Sequence, residues 1–170
     1  MKVNVVIEIP KGSGLKYEHD KKTNTLHLDR VLRGGMTYPG NYGYIENTLA
    51  QDGDALDVLI ISDHKLEPLT HVLVKPIGVL IMKDECGIDE KVIAVLHDSV
   101  DPRSKRITEL SDISDSALAD IDYFFRNYKK LDTDRWSEVV GYRDSVKTAE
   151  IILKYTEAYT TQFNPGDGFS

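Results

Sequence analysis

Apolar residues at Val3, Val5, Ile7 and Ile9 alternate with Asn4 and Glu8, which predicts a half-buried strand over 3–9. Pro10, Gly12 and Gly14 end it. Lys16, Glu18 and Asp20 then share one parity, and Leu26 and Leu28 follow a turn at 22–24, so a hairpin comes next. Residues 34–44, rich in glycine and tyrosine, read as an irregular loop or a short edge strand. The apolar runs 58–61, 72–82 and 92–96 have strand length. After Asp112 the period changes. Ala117, Ile121, Phe124 and Tyr128 fall at helical spacing from Ser114 onward, and Lys129 and Lys130 suit the C-terminal end of that helix. A second helix starts near Ser145 and runs through Ile152, Leu153 and Tyr159, with Lys147 and Glu150 turned outward. The Gly- and Pro-containing tail, 164–170, reads as flexible. Strands first and two helices last predict an α+β domain, a small closed β-barrel with the helices packed outside.

The 170 residues suit one hydrophobic core, so a single domain over 1–170 is expected. With 41% hydrophobic and 29% charged residues the chain is neither membrane-like nor disordered in composition. No apolar run reaches the roughly 18 residues of a membrane span, and Glu8 breaks the N-terminal stretch without a signal-peptide pattern. The net charge of -7 disfavours nucleic acid or an anionic membrane as a partner. A lone cysteine, Cys86, permits no internal disulfide and favours a reducing compartment, the cytoplasm. The five histidines have no zinc-ligand spacing.

Candidate chemistry begins at Asp52, Asp54 and Asp57, the first, third and sixth positions of a six-residue run before a strand. Such a cluster is either a solvated turn or one wall of a cation site, because like charges this close repel unless something cationic joins them. A second acidic group, Asp84, Glu85 and Asp89 around Gly87, follows the next long apolar run. Two strand-end clusters could converge on one cation, and oxygen-only donors suit magnesium, manganese or calcium better than zinc. An EF-hand is rejected: its loop needs glycine at position six and glutamate at position twelve, where this chain has Asp57 and Asp63.

Asp52-Gly53-Asp54-Ala55-Leu56-Asp57-Val58 resembles the D-x-D-x-x-D-V signature of the soluble family I inorganic pyrophosphatases, with Ala55 where the family usually carries proline. The resemblance extends in order through Val6-Ile7-Glu8-Ile9-Pro10, Lys16-Tyr17-Glu18, Leu28-Asp29-Arg30, Tyr38-Pro39, Asn41-Tyr42-Gly43-Tyr44, Asp84-Glu85 with Asp89 and Lys91, and Phe124-Phe125 with Tyr128-Lys129. Ordered agreement over so many spacings is more specific than one short motif. The fold implied is OB-like, with a five-stranded barrel core, additional strands and two C-terminal helices. The activity implied is hydrolysis of inorganic diphosphate to two orthophosphates by a metal-activated water, with several Mg2+ ions and Mn2+ as a substitute.

By that resemblance Asp52, Asp57, Asp84, Asp89 and Glu8 hold metal, and Asp54 is the general base, although the residues themselves leave Asp54 open as a further ligand. Lys16, Arg30, Tyr42, Lys91, Tyr128 and Lys129 bind the phosphates, and Lys91 has the neighbouring carboxylates as alternative partners. Glu18 orders the surrounding waters and cations. A homo-oligomer is implied, hexameric in bacterial members, although Tyr123 and Asn127 stand where many of those carry histidines at a subunit contact. The alternative of another class is a small-barrel nucleic-acid-binding module with tyrosines as stacking platforms, which the acidic balance disfavours. A nucleotide-cleaving enzyme lacks support, since there is no Walker-type loop and His97-Asp98 stands alone.

Overall fold

The structure, a computed structural model, describes residues 1–163; the flexible tail expected at 164–170 lies outside them. Its strands are β1 (Val3–Ile9), β2 (Leu15–Asp20), β3 (Thr25–Val31), β4 (Asn41–Ile45), β5 (Asp57–Ile61), β6 (His71–Asp84), β7 (Gly87–Leu96) and β8 (Ser137–Arg143). Its helices are α1 (Asp115–Asn127) and α2 (Ser145–Phe163). The main sheet runs β1-β4-β5-β7-β6-β8, and β1 also pairs with β6, so five strands close into the barrel that was expected. β5 and β7 are parallel, and the other pairings in the ring are antiparallel.

Alternation along the strands sorts the apolar residues into two layers. Val5 and Ile7, Ile45, Val58 and Ile60, Val74 and Val79, and Val92 and Ala94 come from all five ring strands and fill the barrel, joined by Ile152 and Tyr155 of α2. Leu59, Leu80, Met82, Ile93 and Val95 face the other way, where Ile121, Phe124 and Phe125 of α1 cover them. A register shift between Ile7 and Ile9 carries Ile9 into this outer layer and bends the chain at Glu8, as bulges do when they re-aim a side chain. Ser114 caps α1 by accepting from the Ala117 amide, as its position before the helical stripe predicts.

Three elements differ from the sequence expectation. Residues 41–45, within the stretch read as a loop or edge strand, form β4, buried between β1 and β5. Gly43 permits this: a Cβ there would lie 1.9 Å from the Val6 carbonyl oxygen. Asn41 is fully buried and ties the β4 end down by donating to the His64 carbonyl and accepting from the Lys11 and Leu66 amides. β7 begins five residues earlier than its apolar run, so Asp89 and Lys91 stand on a strand. β8 was not anticipated; it extends the sheet alongside the far end of β6, whose 14 residues outrun the ring.

Candidate active site

The barrel's outer layer stops short of the β5, β6 and β7 ends, and a cleft of about 640 Å³ opens there, bordered by the β2–β3 hairpin and the C-terminal end of α1. At its floor, parallel register sets Asp57 of β5 opposite Lys91 of β7. Lys91 is only 5% exposed, and its ammonium donates to Asp57 Oδ2 at 2.7 Å and to Tyr42 Oη at 2.7 Å and lies 2.9 Å from Asp89 Oδ2. The Tyr42 hydroxyl donates to the same Asp57 Oδ2 at 2.7 Å. Both hydrogen bonds thus fall on one oxygen, leaving Asp57 Oδ1 unengaged by them.

Burial works against the Lys91 ammonium, but Asp57, Tyr42 and Asp89 outweigh it and hold the ammonium well above its usual range. Burial also pushes Asp89 above the ordinary carboxylate range, against the pull of Lys91. Tyr42 is raised by burial and by Asp57, so it serves as a neutral donor.

The acidic loop forms the next wall. Asp52 Oδ1 accepts from the Asp54 amide at 3.0 Å, and the Ala50 amide donates to the Asp54 carbonyl at 2.7 Å, so the loop folds on itself with both carboxylates exposed. Gly53, at φ +87°, makes the turn that an L side chain would strain. Across the cleft, the β6–β7 turn presents Asp84. Its Oδ1 accepts from the Cys86 amide at 2.8 Å and its Oδ2 from Lys129 Nζ at 3.1 Å. Burial raises Asp84, yet the Cys86 amide and Lys129 prevail and keep it below the usual range. Tyr128 closes α1 and stacks on Phe124, with ring centroids 5.2 Å apart, which fixes the hydroxyl's approach to the cleft.

The hairpin supplies Lys16, 3.3 Å from both Glu18 and Asp29, and the cleft-facing Glu18. Glu8 Oε2 accepts from the His19 amide at 2.7 Å, but burial dominates and, with Asp57 and Glu18 near, lifts its pKa from 4.5 to about 7. A carboxyl raised in the folded state binds its proton more tightly there than in the unfolded chain. In chelator, Glu8 therefore costs stability progressively as pH rises from about 4.5 to 7, the reverse of a salt-bridged acid. Chemical denaturation at pH 5 and pH 7.5 should show Glu8→Gln gaining on the unsubstituted protein at the higher pH; an equal difference at both would reject the shift.

All the site residues named from sequence line this cleft except Arg30. Arg30, paired across the hairpin from Lys16, borders an adjoining groove, 2.9 Å from Asp29 and 3.6 Å from Asp132. Arg135 lines both spaces and, like Tyr38 and His19, was missed. Tyr38 lies within the stretch read as a loop, and its only sequence signal was the Tyr38-Pro39 pair.

Glu8, Asp52, Asp57, Asp84 and Asp89 present oxygen donors only, which fits hard divalent cations. Among the described residues no three His, Cys, Asp or Glu side chains are gathered tightly enough to hold an ion unaided. The carboxylates instead face one another over an open, water-accessible cleft. That arrangement suits magnesium, which is held by one or two carboxylates, keeps waters and takes phosphate oxygens from a substrate.

The family model described as inorganic pyrophosphatase matches residues 5–160. The inorganic pyrophosphatase of Campylobacter jejuni is 40% identical over 158 residues, covering 93% of this chain and 92% of that protein. That of Rickettsia prowazekii is 44% identical over 153 residues, covering 89% and 88%. The solved inorganic pyrophosphatase of Helicobacter pylori superposes with a TM-score of 0.91 at 40% identity, covering 94% of each chain. Fold, cleft and sequence therefore agree, and the chain belongs to the inorganic pyrophosphatase family.

Proposed function

We propose that the chain hydrolyses inorganic diphosphate to two orthophosphates in the cleft between the acidic loop and the hairpin, with magnesium as the working cation and manganese as its substitute. Family membership carries the reaction, and the family depends on divalent metal. The observation that carries the site is one cleft joining five candidate metal-holding carboxylates with Lys16, Tyr42, Tyr128 and Lys129.

Diphosphate is strongly anionic, so hydrolysis requires its charge to be neutralised, a water to lose a proton and the departing phosphate to be stabilised. Divalent cations bound here supply charge neutralisation and acidify water. Asp52, Asp57, Asp84, Asp89 and Glu8 hold them, and Lys91 keeps Asp57 and Asp89 in place without leaving its buried position. Asp54, exposed on the loop and free of a cationic partner among the described residues, takes the proton of the attacking water. Lys16 and Tyr42 bind the phosphate under attack; Lys129 and Tyr128 bind the one that leaves, with Arg30 reaching it from the adjoining groove. Glu18, beside Lys16, orders waters around the cations.

Residues 1–170 form one pyrophosphatase domain in this proposal, working in the cytoplasm as a homo-oligomer, the hexamer of bacterial members being the form to test. The lone cysteine supports the compartment. A nucleic-acid-binding role finds no support in the relatives described and runs against the net charge of -7. Phosphate release compared across diphosphate, triphosphate and ATP with magnesium tests the substrate. Diphosphate should be cleaved fastest; intact diphosphate beside rapid cleavage of either longer substrate would refute the proposal.

A further inference from the structure

The β2–β3 hairpin forms a sheet of its own, separate from the barrel, yet it carries Lys16, Glu18 and Arg30. Among the described residues, the hydrogen bonds that leave hairpin residues 17–28 for the barrel are all made by His19. Its amide donates to Glu8 Oε2 at 2.7 Å. Its ring Nδ1 meets Tyr44 Oη at 2.9 Å, and Nε2 meets Asn24 Oδ1 at 2.8 Å. An amide oxygen only accepts, so Nε2 donates to Asn24 and, in the neutral ring, Nδ1 accepts from the Tyr44 hydroxyl. The imidazole also stacks on Tyr44 at 6.1 Å and 19°, while Lys21 Nζ lies 4.4 Å from the centroid of the same tyrosine ring.

His19 therefore joins three parts of the molecule. Asn24, at the hairpin turn with φ +51°, is braced by one ring nitrogen, and β4 of the barrel by the other. The backbone between them holds Glu8 at the bulge that turns it toward the cleft. With both nitrogens engaged, the ring has no lone pair left for a cation and no proton free for a phosphate. We infer that His19 is a positioning residue, a strap from Tyr44 through the hairpin that sets both the Glu8 carboxylate and the distance of Lys16 and Glu18 from the acidic loop. The inference rests on the proposed role of Glu8 at a cation.

His19→Phe keeps the ring stack and removes both side-chain bonds, and Tyr44→Phe removes the barrel bond from the other end. Magnesium affinity, read by calorimetry without substrate, should weaken in each by about 10-fold, the low end for loss of a partner that orients a ligand. The KM for diphosphate should rise by a similar factor while kcat stays within about twofold, because Asp54 and Asp57 are untouched. Amide hydrogens of residues 16–20 should exchange faster, and His19→Gln, which can still accept from Tyr44 and donate to Asn24, should recover most of the affinity. The double variant should lose little more than either single one. Magnesium affinity and KM unchanged in both single variants would overturn the inference, as would additive losses in the double variant. An unsubstituted protein that neither bound magnesium nor cleaved diphosphate would instead overturn the proposed function. If His19→Phe fails to fold, Tyr44→Phe decides the matter alone.

Discussion

Asp57→Asn is expected to lower diphosphate turnover by about 10²–10³-fold, the scale on which removing one stabilising group from a preorganised charged site acts. The substitution keeps the shape of the side chain and an oxygen able to accept from Tyr42 and Lys91, so the floor of the cleft stays assembled. What disappears is the negative charge, and the oxygen not engaged by those bonds becomes an NH2 group that cannot ligate a cation. Lys91 retains Asp89 at 2.9 Å as a charged partner, which limits the folding penalty. Steady-state kinetics with a thermal melt alongside separates the two effects: a large loss of kcat with a near-native melt is predicted, and unchanged turnover would remove Asp57 from the cation-holding set.

Lys91→Met is expected to act on stability first. In the absence of divalent metal it takes away the ammonium that, among the described residues, bridges Asp57 and Asp89, which keep 31% and 19% of their side-chain surface. The cost should be about 3 kcal/mol, the low end for breaking a buried pair because Asp57 remains partly in water. Magnesium should return part of that loss by replacing the missing charge. Asp89 is already pushed up by burial, and Lys91 is the main influence opposing it, so its carboxyl should rise further. The acid limb of the pH–activity profile should accordingly move to higher pH. Denaturant midpoints in chelator and in magnesium measure the first effect and a pH–rate profile the second. A variant matching the unsubstituted protein in all of these would show that Lys91 does not hold the carboxylates.

The sequence was legible where burial is one-sided. β1 is legible because Val5 and Ile7 fill the barrel from one face, although Val6 is buried as well, and α1 shows a stripe because Ile121, Phe124 and Phe125 face the sheet while Tyr123 on its other side meets water. β4 was hidden for the opposite reason: Asn-Tyr-Gly-Tyr-Ile is buried on both faces, and its glycine, normally a breaker, is what lets the β1 backbone approach. The start of β7 was hidden by function. Asp89 and Lys91 are polar because they line the cleft, and Glu90 between them accepts from Tyr155 of α2, so the apolar run begins only at Val92. β8 buries only Val139 and exposes the adjacent Val140, leaving no clean alternation to read.

The site was legible as an inventory through family resemblance, and the acidic loop stood out unaided as a charge cluster. Its wiring was not. The Asp57–Lys91 contact depends on a parallel pairing of strands 34 positions apart, which no local pattern encodes. Lys91 was named as a phosphate-binding residue with the carboxylates as its alternative partners, and the structure sets it against those carboxylates. Arg30, opposite Lys16 in the hairpin, borders the neighbouring groove, where its guanidinium lies 3.6 Å from Asp132, a contact no local pattern encodes. His19 gave no signal at all, since its role arises from a tyrosine 25 positions away.

Phosphate release from diphosphate by the purified protein, followed in magnesium, then in excess chelator, then after magnesium is restored, tests the central claim most directly. The account predicts rapid release, its abolition and its full return. Release that persists in chelator, or diphosphate left intact by a folded, magnesium-bound protein, would contradict it.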